Sequence, residues 1–210
     1  MSHDDFATEP VKGLPERPPE GERILWQGRP QAWALTWQAL SLPWVAGYFA
    51  ALAVWRFGSL IDAMPPGAAL AAASPFLILG AVVCLLLFLV GLVQARATVY
   101  TITNRRVAMR IGAALTVTLN LPFSQIRTAA LDLRRGGTGT IALDLMGETR
   151  LSYLVCWPHV RPWHLRLTMP ALRCIPEAAR VAQILSEAAE AQVSTPQVSR
   201  QTPASALAAE

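Results

Sequence analysis

Residues 67–94 run for twenty-eight positions without one Asp, Glu, Lys or Arg, and 77–93 are almost entirely Leu, Val, Ile, Phe, Gly and Ala. Crossing the hydrocarbon core of a bilayer takes roughly 20 apolar residues at about 1.5 Å of rise each. Ser74 and Pro75 read as a helix start, a hydroxyl able to cap free N–H groups before a residue whose missing donor costs nothing there. A helix from Pro75 to Gln94 is then long enough to cross. Buried helices of soluble domains are rarely apolar on every face over such a length.

A second apolar stretch precedes it. Ser41 and Pro43 repeat the start signal, and 44–61 read as a first membrane helix with Arg56 near its far end, where the long stem can snorkel. Residues 31–40 read as an interfacial helix and 62–67 as the turn between the two crossings. The loop at 58–67 carries no Lys or Arg, whereas Lys12, Arg17, Arg23 and Arg29 precede the pair and Arg96, Arg105, Arg106 and Arg110 follow it. By the positive-inside rule both termini are expected in the cytoplasm. The chain is thus predicted to be a two-helix transmembrane hairpin at 41–94 in a bacterial cytoplasmic (inner) or intracytoplasmic membrane. Trp33, Trp37, Trp44, Tyr48 and Trp55 would fall within about 60° of one another on an unbroken helix. They read either as a contact stripe or as interfacial belts with inner packing, and Pro43 is expected to kink the stripe.

After Arg96 the pattern changes from helical to alternating. Strands are expected at 97–103 and 106–111 with a corner at Asn104-Arg105, then at 115–121, 123–133, 139–146 and 150–157. Residues 158–170 read as irregular and 176–192 as an amphipathic helix. Six or seven short antiparallel strands closed by one helix fit a PH-like roll of α+β, mainly-β class; an OB-like or Sm-like barrel competes on strand count. Upstream, 21–30 (GERILWQGRP) suggest a strap packed on this domain. The whole divides into a disordered tail at 1–20, a strap and interfacial segment at 21–40, the hairpin, a cytoplasmic domain at 96–192 and a second disordered tail at 193–210.

Composition narrows function by exclusion. The net charge is +4 and Lys12 is the only lysine, so no basic run suits nucleic acid. Cys84, Cys156 and Cys174 are scattered and odd in number, which argues against a disulfide framework. The first thirty residues are acidic, Pro-rich and polar, unlike a signal peptide. No phosphate loop, dinucleotide fingerprint or zinc-protease signature occurs, and no acid–base pair stands out, so neither an enzyme nor a cofactor is expected. Cys156, His159, His164 and Cys174 match no standard zinc spacing. His159 or His164 can in principle ligate the magnesium of a tetrapyrrole.

Two clusters read as partner surface. Asn104, Arg105, Arg106 and Arg110 lie just beyond the second crossing, where each arginine can gain about 1 kcal/mol from an anionic leaflet; ordinary positive-inside charge explains them as well. Trp157, Pro158, His159, Arg161, Pro162 and Trp163 form a stiff aromatic segment of the composition found at binding hot spots, or else a loop whose tryptophans plug the open sheet. Specific phosphate recognition of the eukaryotic PH kind would need more clustered Lys and Arg than one turn provides.

The run YTITNRRV at 100–107, directly after an apolar helix, resembles the opening of bacterial PH-like domains of small membrane proteins, and 21–30 resemble the segment preceding their hairpin. YTITNRRVAMRIG at 100–112, TLNLPF at 118–123 and WPHVRPW at 157–163, in that order, also resemble the PuhB family of photosynthetic-complex assembly proteins of purple bacteria. Gly47 to Ala50 and Trp55-Arg56 add to this likeness, which covers about 21–192. Ser41 to Trp44 depart from the His and Arg usual at that point in the family. The resemblance implies a non-enzymatic factor that helps assemble the reaction centre with its core light-harvesting antenna. It also implies a homodimer, with reaction-centre and core-antenna subunits or assembly intermediates as partners beside the lipid bilayer.

Overall fold

The structure, a computed structural model, describes residues 11, 13–113, 115–134, 136–147 and 151–194, the side chain of Val193 excepted. In chain order these form β1 (Ile24–Gly28), α1 (Ala32–Gln38), α2 (Leu42–Leu60), α3 (Pro66–Ala97), β2 (Val99–Thr103), β3 (Arg106–Ile111) and β4 (Val117–Pro122). A 3-10 turn at Phe123–Gln125 leads into β5 (Ile126–Leu133), β6 (Gly139–Leu145), α4 (Tyr153–Cys156), β7 (Ala171–Ile175) and α5 (Ala178–Ser194).

The strands make two antiparallel sheets, β1-β2-β3-β4 and β5-β6-β7. Inward residues of β2 and β3 (Tyr100, Ile102, Val107, Met109, Ile111) meet Ile141, Leu143, Leu172 and Ile175 of the second sheet. α5 closes the core with Ala178, Val181, Leu185 and Ala188, the helical spacing of one apolar face. This is the expected PH-like roll with its C-terminal helix. The 21–30 strap is also as expected: β1 pairs with β2 across the whole membrane-type insertion, Gln27 against Thr101 and Gly28 against Tyr100.

Several expectations need correction. α3 does not begin at Ser74-Pro75 but runs through it from Pro66. Pro75 has no N–H for the carbonyl of Ala71 one turn back, and the Ser74 hydroxyl donates to that oxygen at 2.8 Å, which lets the helix continue. Residues 150–157 are not a strand: Arg150 lies outside the described residues, and 153–156 form α4. Both edges of β6 are already taken, by β5 and β7, so no ladder remains for that segment. The edge goes to β7, unforeseen because its five residues are buried on both faces and show no alternation. The tail at 1–20 is not wholly loose, since Leu14 is buried and Gly13 packs on Val99. At the other end α5 passes 192 to Ser194, and the remainder of the 193–210 tail lies outside the described residues.

Among the described residues α3 is the one helix long and apolar enough to cross a membrane by itself, and its most apolar window is only 11% buried, unlike a core helix. α1 and α2 reach that length and apolarity only together, and they are bent by 56° where Ser41 takes a left-handed conformation. The bend splits the aromatic stripe, as expected from the Ser41–Pro43 break. α2 lies along α3, where Gly80 faces Phe49, and α1 crosses α3 at Gly91, against Thr36 and Leu40. A Cβ on Gly91 would overlap the Thr36 hydroxyl. Gly91→Val should therefore lift α1 from its seat and cost about 1–3 kcal/mol of stability. Gly58→Ala, with open space around it, should be neutral or slightly stabilising. Thermal unfolding of the two variants in detergent checks this; equal midpoints would refute the α1–α3 contact.

Candidate functional site

Residues 157–163 split into a buried base and an exposed crown. Pro158, His159 and Val160 are buried, the Trp157–Pro158 peptide is cis, and Val160 bridges to Pro170. Backbone bonds from Ala171 N–H to His159 O (2.9 Å) and from Arg161 N–H to Met169 O (2.9 Å) tie the segment to the approach to β7. Trp157 (42% exposed), Arg161, Pro162 and Trp163 (91% exposed) are left outward. Trp163 sits at φ 66°, a left-handed conformation costly for a residue with a Cβ. Leu154, Val155, Leu165 and Leu167, on either side in sequence, are exposed as well.

The base is fixed by one directional chain of hydrogen bonds. The Thr98 hydroxyl donates to Gln94 O at the end of α3 (2.8 Å), so toward His159 it can only accept, and Nε2–H of His159 donates to it at 3.0 Å. That places the lone pair on Nδ1, which accepts the Tyr100 hydroxyl at 2.6 Å. Tyr100 in turn accepts the backbone N–H of Arg173 at 3.2 Å. Every donor has one acceptor only if the imidazole is neutral. Burial, and then the positive charge of Arg173, pushes the His159 pKa down to about 3. Burial likewise drives the Tyr100 hydroxyl upward, which keeps it a donor.

His159 and Pro158, expected at the partner surface, are therefore its internal support. Both ring nitrogens of His159 are engaged, so it offers no lone pair to a tetrapyrrole magnesium, whereas His164, whose Nδ1–H donates to Pro162 O at 2.9 Å, keeps its lone pair on Nε2. Burial raises the thiols of Cys156 and Cys174, the latter to about 11, away from the thiolate that a nucleophile or metal ligand requires. Among the described residues no three of His, Cys, Asp and Glu come together as a metal cluster would require.

The arginine cluster also divides. Asn104 accepts the Arg23 N–H (2.9 Å) and donates to Gly21 O (3.0 Å), and Arg106 holds Glu22 through Nε (2.7 Å) and Nη2 (2.9 Å). Burial alone would raise the Glu22 carboxyl, but bonds from Arg106 and Thr103 hold it below its ordinary value. These two residues clamp the strap that carries β1. Arg110, expected at the membrane surface, does not reach it: its side chain is buried within β3, 1% exposed. Arg105 alone of the four is exposed.

The fold adds a groove that the linear sequence did not show. A cavity of about 650 Å³ lies between the α1–α2 bend and the 157–163 segment, with Trp37, Trp44 and Trp163 facing Arg134, Arg161 and Arg173. Tyr100, Thr98 and Arg173 were not singled out from sequence. The available signal was Tyr100 sharing the inward phase of Ile102, since a buried phenol requires a hydrogen-bond partner.

Two packed apolar helices, α2 and α3, continuing through one residue into a two-sheet roll closed by a C-terminal helix define a PH-like protein with an apolar helical insertion. Residues 39–189 match the bacterial PH domain family, and the chain belongs to it. A Rhodobacter capsulatus protein described as an uncharacterized 23.7 kDa protein in the puhA 5′ region is 48% identical over 206 residues, covering 94% of each chain. No solved structure matches.

The His159 chain has a pH signature. The folded-state pKa near 3 lies below the unfolded value of about 6.5, so the unfolded chain takes the proton first. The contribution is complete above about pH 6.5 and erodes toward pH 3, by up to about 1.4 kcal/mol per pH unit. His159→Gln should unfold more easily than wild type at pH 7.5 and lose less on going to pH 5.5. Denaturant midpoints at the two pH values measure this, and parallel losses would show that His159 does not titrate on unfolding.

Proposed function

We propose that this protein is a non-enzymatic membrane assembly factor for the photosynthetic reaction centre and its core light-harvesting complex. The observation that carries the reading is Trp163, 91% exposed in a left-handed conformation on a base that the His159 chain holds rigid. A large aromatic kept in water by a backbone that is tied down on either side is apolar surface left available to a partner, which is what a partner-gripping residue needs. Trp157 and Arg161 complete the grip. The relative from the puhA region of a photosynthetic bacterium supplies the photosynthetic link.

In this reading α3 makes one crossing and α2 the other, with α1 lying at the interface beyond the bend, a hairpin with both termini in the cytoplasm. The domain rides at the membrane surface with Arg105 toward the anionic leaflet, and the protein works as a homodimer. A bacterial PH adaptor with no photosynthetic role is the second reading, favoured by a family match that by itself specifies architecture only.

Affinity capture from photosynthetically growing cells separates them. Wild-type protein should bring down reaction-centre and core-antenna subunits, and Trp157→Ala/Trp163→Ala should lose them by about tenfold or more while staying in the membrane. A deletion strain with normal mature reaction centre and core antenna would sink the assembly role.

A further inference from the structure

We propose that the groove between the α1–α2 bend and residues 161–163 binds the phosphate of an anionic lipid. Arg173 is only 7% exposed, yet among the described residues it pairs with no carboxylate. Its Nη1 donates to Pro158 O at 3.3 Å, and its buried Nε has no acceptor. A buried guanidinium left in that condition is costly, and an anion in the groove it lines would offset the cost. Arg161 lines the same groove, and among the described residues its guanidinium meets only the weak acceptor Met169 Sδ at 3.8 Å. Arg134 is there too, paired with Asp132 at 2.8 Å. Three guanidinium groups thus face one carboxylate, which leaves the groove two positive charges in excess.

The other wall selects the source of the anion. Trp44 belongs to the first turn of α2 and Trp37 to the last turn of α1, so both stand at the bend where an apolar helix begins. With Trp163 they form an indole rim of the kind that sits at headgroup level. A phosphodiester there reaches the arginines while its acyl chains lie along α2; a soluble phosphate would leave the indole wall unused. A volume of about 650 Å³ accommodates a headgroup. The arginines come from β5's end, β7 and the 157–163 segment, which is why no single turn of sequence shows a phosphate cradle.

The inference rests on α3 lying in the bilayer; it shares Arg161 and Trp163 with the proposed grip but is read by lipid retention, not by partner capture. The test is native mass spectrometry of the full chain in detergent, titrated with phosphatidylglycerol, phosphatidylcholine or inorganic phosphate. Phosphatidylglycerol should be retained about tenfold more tightly than phosphatidylcholine, with the preference lost in Arg161→Gln/Trp163→Ala and in Arg173→Gln. The first of these variants alters exposed residues only, so it decides the matter even where Arg173→Gln fails to fold. Equal retention of the two lipids, an unchanged preference in the exposed-residue variant, or displacement of phosphatidylglycerol by millimolar inorganic phosphate would each overturn the site. Carbonate washing of membranes reads the span separately: a wild-type chain that washes off removes both readings, and one that stays but ignores headgroup charge removes this one alone.

Discussion

The structure turns on the absence of slack between α3 and β2. The helix ends at Ala97 and the strand begins at Val99, so the orientation of the sheet is set by one residue, Thr98. Its hydroxyl closes the last turn of α3 on one side and receives His159 on the other. Through Tyr100 the same chain reaches Arg173 in β7. One run of hydrogen bonds thus connects the apolar helix, the first sheet, the second sheet and the 157–163 segment. A protonated imidazole would face the Tyr100 hydroxyl with a second donor and break the sequence, so burial of a neutral histidine is a condition of the geometry.

α1 reinforces that joint from outside. Leu35 and Ala34 bury against Ala95 near the end of α3 and against Cys174 in β7, and Gln31 N–H bonds Cys174 O at 2.8 Å. The clamp of Asn104 and Arg106 on Gly21 to Arg23 does the same for β1. A domain joined to a helix by one residue would otherwise swing about it; three independent contacts remove that freedom. The exposed tryptophans and the arginine-lined groove are then held at fixed positions relative to the apolar helices, which is what both a partner grip and a lipid site require.

Much of this was legible in the chain. Twenty-eight residues without a charge dictate an apolar helix, alternation after Arg96 dictates strands, and the Ala, Val, Ile and Leu spacing over 178–188 dictates the closing helix. These are local properties, fixed by the periodicity of each element and by the free energy of apolar burial. That residues 157–163 are unusual was also legible, because Trp and Pro in close succession are rare wherever they fall; whether the tryptophans face out or plug the sheet was not.

What sequence left open were the sides taken by polar residues. Arg105 and Arg110 read alike as basic residues after an apolar helix, yet one is exposed at the β2–β3 corner and the other is buried within β3. His159 read as a loop histidine and proved to be the internal support, since only the packed fold brings Thr98 and Tyr100, some sixty positions earlier, to its two nitrogens. Arg173 drew no notice in a short unpatterned stretch, and its burial beside Arg161 and Arg134 exists only once β5, β7 and the α1–α2 bend meet. The sequence by itself determined which segments are helix, strand and apolar. The tertiary structure alone decided which charges are desolvated, because desolvation depends on what covers a residue and the covering segments here come from distant parts of the chain.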